Sequence, residues 1–202
     1  LLDALRAAGN TPRVVFSSSV AVFGPDPGLP GKALPAIVAD DTLPAPQTSS
    51  GTQKLMCEHL IADMTRKGFI DGRAARLMTV TVRPGKPNAA ASSFFSGVIR
   101  EPLAGVEAIC PVDASVSHPV SSPARTIDAL IRIYEASRDE LQGRLALNLP
   151  ALNVTVQQML DALEAVAGAK VRALVKFQRD ERIAGIVANW PQGASSARAH
   201  AL

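Results

Sequence analysis

The most constraining feature of the sequence is an uninterrupted apolar run, Val14-Val15-Phe16, that ends at three serines, Ser17 to Ser19. A short apolar run without alternation is typical of a strand buried on both faces, so we predict a strand from Arg13 to Ser18. The preceding residues, Leu1 to Ala8, have helical spacing and are followed by Gly9. A helix, a short loop and a buried strand in this order predict an α/β fold with a parallel sheet.

The rest of the chain continues this alternation of helices and strands. A proline-rich segment from Val20 to Gln47 predicts a long loop, and loops of this length are usually functional. Helices are predicted at 49–67, 92–100, 124–136, 156–166 and 180–190, and strands at 75–82, 106–112, 144–149 and 171–177. Residues 192–202 are small and polar, and we predict a frayed end there.

The composition argues against several classes of function. The 202 residues are 47% hydrophobic and 19% charged, as in ordinary globular proteins. The formal charge of +3 comes from scattered basic residues, so no nucleic-acid partner is expected. No apolar run reaches the roughly 18 residues needed to cross a bilayer, so no membrane partner is expected either. Cys57 and Cys110 lack metal-ligand spacing, which predicts reduced, buried thiols in a cytoplasmic protein and no metal site.

Polar residues at two further places stand out. Ser50 and Lys54 lie four residues apart at the start of the helix predicted at 49–67, so they share one helix face. The sequence Arg83-Pro84-Gly85-Lys86-Pro87-Asn88 follows the strand predicted at 75–82 and is typical of a turn. The space beyond the carboxyl ends of parallel strands is where folds of this kind bind ligands.

Together with Val22-Phe23-Gly24 after the serine triplet, these motifs resemble those of the extended short-chain dehydrogenase/reductase superfamily, the NAD-dependent epimerase/dehydratase family. Ser50 to Lys54 takes the place of that family's Tyr-x-x-x-Lys motif, and residues 83–88 take the place of its Arg-Pro-Gly-Asn-type loop. The sequences at 51–54, 82–88 and 97–103 are most similar to the D-erythronate dehydrogenase branch.

The resemblance implies the C-terminal part of a Rossmann-like doubly wound parallel sheet plus a small mixed α/β substrate lobe. Residues 1–90 are expected to form the C-terminal half of a dinucleotide-binding domain. Residues 91–202 are expected to form the substrate-binding lobe, with elements that return to the sheet. The family's first βαβ unit, with its Gly-x-x-Gly-x-x-Gly loop, has no counterpart in the sequence, so the chain is expected to be N-terminally incomplete.

The resemblance also implies NAD as the cofactor, with NADP not excluded, and a small sugar acid such as D-erythronate as the substrate. The residues assigned to catalysis are Ser19, Lys54 and Ser50, the last at the tyrosine position. Those expected beside the cofactor are Ser17, Ser18, Lys54, Pro84 and Gly85. Those expected beside the substrate are Ser19, Lys86, Asn88 and His118. The helix at 50–67 builds dimers in the family and is therefore a candidate homodimer surface.

Ser50 is the departure that decides the expected activity. In the family, a tyrosine phenolate takes the proton of the alcohol, and a lysine one turn later stabilises the phenolate. A serine hydroxyl is a far weaker acid and is shorter by a whole ring, so Ser50 supplies no base at neutral pH. Losing a positioned general base costs on the order of 10²–10⁴ in rate. Tyr134, the only tyrosine, lies in another predicted helix, so the chain is expected to be impaired or inactive.

Three functions stay open at this point. The first is an NAD-dependent dehydrogenase of a small sugar acid, which Lys86 and Asn88 favour because ammonium and amide groups bind carboxylates. The second is a nucleotide-sugar epimerase or dehydratase of the same superfamily. The third is a non-catalytic remnant with at most a binding or dimerisation role, which Ser50 and the missing glycine loop suggest.

Overall fold

Helices and strands alternate along the part of the chain that the structure describes. The computed structural model describes residues 1–26, 28, 34–86, 88, 90–141 and 146–202. The helices are α1 (Leu2–Ala8), α2 (Ser49–Arg66), α3 (Ser93–Leu103), α4 (Pro123–Glu135), α5 (Val156–Ala167), α6 (Ala169–Arg172), α7 (Glu181–Val187) and α8 (Ala197–His200). The strands are β1 (Arg13–Ser19), β2 (Ile37–Val38), β3 (Asp71–Leu77), β4 (Thr79–Val80), β5 (Ala108–Cys110), β6 (Ser117–Ser121), β7 (Ala146–Asn148), β8 (Leu152–Thr155), β9 (Val175–Phe177) and β10 (Gly193–Ala194).

The main sheet has the parallel order β1-β3-β7. Strand β1 pairs with β3 along its whole length, from Arg13 opposite Asp71 to Ser19 opposite Leu77. Helix α1 ends at Gly9, whose φ of 67° lies in the left-handed region that glycine adopts without strain. The predicted α/β fold with a parallel sheet is confirmed.

Strand β3 begins four residues before the predicted strand at 75–82, so that prediction is wrong about where the strand starts and ends. The reason is its polar content, because Asp71, Arg73 and Arg76 hide the apolar pattern of a central strand. All three pair inside the protein, which makes the charges compatible with burial. Residues 79–80 form the separate strand β4, which pairs with β6 in another sheet.

Helices cover both faces of the main sheet. Side chains alternate across a strand, so Arg73 and Arg76 of β3 lie on opposite faces. Arg73 Nη1 donates to the carbonyls of Ile133, Tyr134 and Ala136 at the end of α4, whereas Arg76 pairs with Glu58 of α2. As predicted, Ser122 caps α4, where its hydroxyl accepts from the amide of Arg125.

A second hydrophobic core is built around α3 and α5. Its buried apolar side chains are Phe94, Phe95, Val98, Cys110, Val112, Val156, Met159, Leu160, Leu163, Val175 and Val187. The strand predicted at 171–177 is reduced to β9, because residues 169–172 form helix α6. Strands β6 and β8 are not predicted by the sequence, and they pair antiparallel with each other.

The C-terminal residues 192–202 are ordered, so the prediction of a frayed end is wrong. Strand β10 pairs in parallel with β2, and Ser196 is buried. Strand β10 can lie this close to β2 because its side chains, whose small size led to the prediction of fraying, take up little space. A Cβ on Gly193 would lie 2.5 Å from Ile37 Cδ1.

The structure also tests the predicted helices and the burial of the two cysteines. The helices at 49–67, 92–100, 124–136 and 156–166 are confirmed to within a few residues. Cys110 is buried and Cys57 only partly so, and both are free thiols. No helix in the described ranges is long and apolar enough to span a membrane. Pro27, Pro30 and Pro87, and the start of the strand predicted at 144–149, lie outside the described residues.

Candidate active site

Lys54 lies against the end of β1, as the sequence motifs predict. Its Nζ donates to the carbonyl oxygen of Ser17 at 2.6 Å and lies 4.9 Å from the ring centroid of Phe16. The ammonium is therefore fixed by a hydrogen bond and a cation–π contact, both from β1. The Ser17 side of the strand is exposed, so the ammonium stands beside an open surface.

The start of α2 is held in place by its own cap and by a close backbone approach. The hydroxyl of Thr48 accepts from the amide of Gly51 at 3.0 Å, which caps the helix. A Cβ on Gly51 would lie 2.1 Å from the carbonyl oxygen of Ala21, so only glycine lets the helix approach the turn at 20–22. This contact fixes the first turn of α2 beside the residues that follow β1.

Ser19 is the last residue of β1, and Ser50 is in the first turn of α2. The Ser19 hydroxyl accepts from the amide of Ala21 at 3.1 Å, which caps the 3-10 turn Val20–Val22. Its own proton remains available to a ligand oxygen. Ser50 is exposed in the first turn of α2, four residues before Lys54. No Tyr side chain reaches this place from α4, where Tyr134 stacks against Arg13 instead.

Ser18 is directed into the protein and takes part in a buried network that the sequence reasoning missed. Ser18 is 2% exposed, and its hydroxyl donates to Glu58 Oε1. Arg76 donates to both oxygens of the same carboxylate, from Nε at 3.0 Å and from Nη2 at 2.8 Å. The network joins β1, α2 and β3 directly beneath the serine triplet. The burial of Ser18 gives no support to its predicted place beside the cofactor, which stays a prediction.

The position of Glu58 in α2 could have been recognised from the helical spacing of the sequence. The buried residues of α2 are Gly51, Glu58, Ile61 and Thr65. Their spacings of seven, three and four are those of one helix face. A carboxylate on the buried face of a helix requires a buried cation, and Arg76 on the adjacent strand is that cation.

The loop after β4 is exposed and is tied to α3. Ser96 Oγ accepts from the amide of Arg83 at 3.1 Å, and Arg100 Nη1 donates to the Arg83 carbonyl at 2.7 Å. Further along, Pro84, Gly85, Lys86 and Asn88 are all exposed. Gly85 has a φ of 101°, and a Cβ added to it would meet no other atom within 4 Å. Their predicted contacts with cofactor and substrate stay predictions, since the contacts that fix this loop run to α3.

His118 is a core residue. It is 1% exposed, its Nε2 lies 2.7 Å from Thr79 Oγ1, and its Nδ1 lies 3.0 Å from the Pro191 carbonyl oxygen. The ring also stacks on Phe95, with centroids 5.0 Å apart. Burial lowers the pKa of His118 to about 4. Because both ring nitrogens have protein partners, its predicted contact with substrate has no support from its position.

These features define a class of protein. The chain has a Rossmann-like α/β fold with hydroxyls at the carboxyl end of a parallel strand and a helix lysine beside them. The model of the NAD dependent epimerase/dehydratase family matches residues 1–118, and the chain belongs to that family.

Relatives and solved structures agree with this assignment. The chain is 47% identical over 202 residues to a D-erythronate dehydrogenase of Cupriavidus necator and covers 60% of it. It is 43% identical to a D-erythronate dehydrogenase of Haemophilus influenzae, also over its whole length, and covers 62% of that protein. The crystal structure of a nucleoside-diphosphate-sugar epimerase from Agrobacterium tumefaciens matches 99% of the chain with a TM-score of 0.91 and 43% identity.

The chain spans about three fifths of the length of these relatives, and 58% of the Agrobacterium structure. An L-threonine 3-dehydrogenase from Trypanosoma brucei is also similar, with a TM-score of 0.81 over 98% of this chain. At 21% identity that likeness concerns the fold alone.

Proposed function

We propose that the chain carries the hydroxyl and lysine part of a dehydrogenase site that oxidises a hydroxyl of a small sugar acid with NAD. The contact between Lys54 Nζ and the Ser17 carbonyl is the observation that carries the proposal, because it holds a cation at the serine end of β1. The names of two relatives, both D-erythronate dehydrogenases, support D-erythronate or a similar acid as the substrate.

Lys54 at the end of β1 and the exposed loop residues Pro84 and Gly85 are proposed to hold the nicotinamide part of NAD. Lys54 uses one N–H on Ser17 and retains two for ribose hydroxyls. Pro84 and Gly85 are exposed and have little side-chain bulk, so a ligand can approach their backbone closely. A Cβ added to Gly85 would meet no other atom within 4 Å. NAD, when bound, accepts hydride from the substrate carbon. Choice between NAD and NADP is made by residues that bind the adenosine ribose, which this part of the site does not include.

Ser19 is proposed to donate a hydrogen bond to the reacting oxygen of the substrate. Its oxygen accepts from the Ala21 amide, and its O–H is a donor that a ligand oxygen can accept. Lys86 and Asn88 are proposed to hold the substrate carboxylate, because both are exposed on the loop after β4 and both can donate hydrogen bonds.

The chain as it stands is proposed to have little activity. Ser50 is exposed at the start of α2, and its side chain is shorter than that of a tyrosine by a whole ring. No base then takes the proton of the substrate alcohol.

The test joins to this chain the part of the Cupriavidus necator relative that the chain does not match, and it compares Ser50 with Ser50→Tyr. With D-erythronate and NAD, we expect the tyrosine protein to reduce NAD about 10²–10⁴ times faster. Ser49→Tyr is the matched control, because the same phenol then lies about 100° away around the helix.

Two results would contradict the proposal in different ways. If neither the serine nor the tyrosine protein turns over D-erythronate, the substrate assignment is wrong. If the serine protein is already as fast as the tyrosine protein, Ser50 is not the defect. Where the tyrosine protein turns over D-erythronate, Lys54→Met should abolish that activity.

The exposed apolar side chains of α2 support a homodimer through that helix. Met56 is 60% and Leu60 is 51% exposed, one turn apart on the helix. A monomer by sedimentation at micromolar concentration would contradict this proposal. The free thiols of Cys57 and Cys110 agree with a cytoplasmic location.

A further inference from the structure

The ammonium of Lys54 is held at the end of β1 by groups that carry no charge. Its Nζ donates to the Ser17 carbonyl oxygen at 2.6 Å and lies 4.9 Å from the ring centroid of Phe16. Within the described ranges no carboxylate forms an ion pair with Lys54. Lys67, on the same helix, is by contrast 2.7 Å from a carboxylate oxygen of Asp63. The charge of Lys54 is therefore not offset by an ion pair.

The contact of Lys54 with Phe16 differs in this respect from the other cation–π contacts. Three further contacts of this kind occur in the described ranges, all formed by arginines: Arg6 with Phe69, Arg13 with Tyr134 and Arg76 with Phe23. Each of these arginines also pairs with a carboxylate. An aromatic face attracts a cation through its quadrupole and has no net charge, so the ring of Phe16 holds Lys54 without neutralising it.

The hydrophobic core does not account for the ring of Phe16. The side chain is only partly buried, and the three apolar clusters of the described residues do not include it. Its neighbour Val15 packs against the cluster that contains Ile133 of α4. Side chains alternate across a strand, so Phe16 lies on the other face of β1, which α2 covers. The contact with Lys54 of α2 gives the ring a use at this place.

We propose that Phe16 is a positioning residue, whose ring holds the Lys54 ammonium at the end of β1 and leaves its charge free to act. The proposal rests on the proposed function, in which that ammonium binds the nicotinamide ribose and, in the Ser50→Tyr protein, stabilises the phenolate. A carboxylate in place of the ring would also hold the ammonium, but it would offset the charge that stabilises the phenolate.

The first measurement is NAD binding by calorimetry to the joined protein, so it needs no turnover of D-erythronate. Phe16→Leu removes the aromatic face but retains an apolar side chain, and it should raise the Kd for NAD about two- to fivefold. Phe16→Tyr restores an aromatic face and should restore the Kd. Phe69→Leu is the matched control and should leave the Kd unchanged, because it removes the cation–π contact of Arg6, which lies before the amino ends of β1 and β3.

Two further variants separate the electrostatic effect of the ring from its size. A trifluorinated phenylalanine at position 16 retains an apolar ring but weakens its negative face, so the Kd for NAD should rise as it does with Phe16→Leu. Phe16→Glu replaces the ring by a carboxylate. In the joined Ser50→Tyr protein it should lower kcat more than Phe16→Leu does, because an ion pair offsets the charge of Lys54.

The outcomes distinguish this proposal from the proposed function. An unchanged Kd for NAD in Phe16→Leu and in the fluorinated protein, with both folded by circular dichroism, would overturn the role of Phe16 and leave the proposed function intact. An equal rise in Kd with Phe69→Leu would show a general loss of stability and would also overturn that role. A kcat with Phe16→Glu no lower than with Phe16→Leu would show that the neutrality of the ring has no effect.

Failure of the proposed function gives different results. A joined protein that binds NAD but does not oxidise D-erythronate would contradict the proposed substrate, and the effect of Phe16 on the Kd would still stand. A joined protein that binds no NAD would overturn both proposals.

Discussion

The two ends of the β1–β3 strand pair each bury an arginine, but they compensate its charge differently. At the carboxyl end, Arg76 forms two hydrogen bonds with Glu58, whose Oε1 also accepts from Ser18. At the amino end, Arg73 and Arg13 both donate hydrogen bonds to the carboxylate of Asp71. Arg73 also donates from Nη1 to backbone carbonyls at the end of α4.

The difference matters because the two networks hold different helices. The Glu58–Arg76 network fixes α2, the helix that carries Ser50 and Lys54, against the serine triplet. The Arg73 network fixes α4, on the other face of the sheet. Both should stabilise the fold, but only the first should also set the geometry of the proposed reaction site.

The largest expected effect is that of Arg73→Met. It removes four hydrogen bonds of a fully buried guanidinium and leaves the α4 carbonyls and Asp71 short of donors. We expect a loss of about 4 kcal/mol in the free energy of unfolding, measured by urea denaturation. In the joined Ser50→Tyr protein, kcat of the folded enzyme should not change.

The control for this variant is Arg132→Met on the exposed side of α4. Arg132 forms an exposed ion pair with Asp128. Its replacement should therefore lower the free energy of unfolding by only 0 to about 1 kcal/mol. A fall in kcat with Arg73→Met, after correction for unfolded protein, would show that the Arg73 network also affects the reaction site. The proposed difference between the two networks would then be wrong.

Glu58→Gln should cost somewhat less stability but should also change the reaction. The amide retains the shape and one acceptor, yet leaves the charge of Arg76 buried without a counterion, so we expect a loss of about 3 kcal/mol. Displacement of α2 relative to β1 should lower kcat of the joined Ser50→Tyr protein by about tenfold or more. An unchanged kcat would mean that the network stabilises the fold without positioning the site.

The smallest expected effect is acid sensitivity at the amino end. Burial raises the pKa of Asp71, but hydrogen bonds from Arg73 and Arg13 outweigh it and hold that pKa below its ordinary value. A carboxyl whose pKa is lower in the folded state stabilises the protein above its unfolded pKa, near 3.9, and loses that contribution as pH falls through the folded value. We expect a loss below about 1 kcal/mol, measured as the change in unfolding free energy between pH 5 and pH 3.

Asp71→Asn supplies the comparison for this pH dependence. The variant should be less stable at pH 5 and should lose less on acidification than the wild-type chain. An equal loss in both proteins would place the acid sensitivity elsewhere in the molecule.

Much of the fold followed from short-range patterns. The helical spacing before Gly9, the apolar run before the serines and the Ser122 cap each depend on neighbours within a few residues, and each is confirmed. The elements that were missed depend on distant partners. Strand β10 exists because residues 193–194 pair with residues 37–38, and nothing near Gly193 in the sequence indicates that pairing.

The sequence by itself determined the family, the serine triplet, the lysine on α2 and the absence of a tyrosine at position 50. These are properties of residue type and local spacing, so they can be read without a fold. Only the tertiary structure decided that Ser18 is directed inward to Glu58 and that His118 is a core residue. Each of these depends on groups brought together from distant segments, where burial and pairing of charge, rather than residue type, determine what a side chain can do.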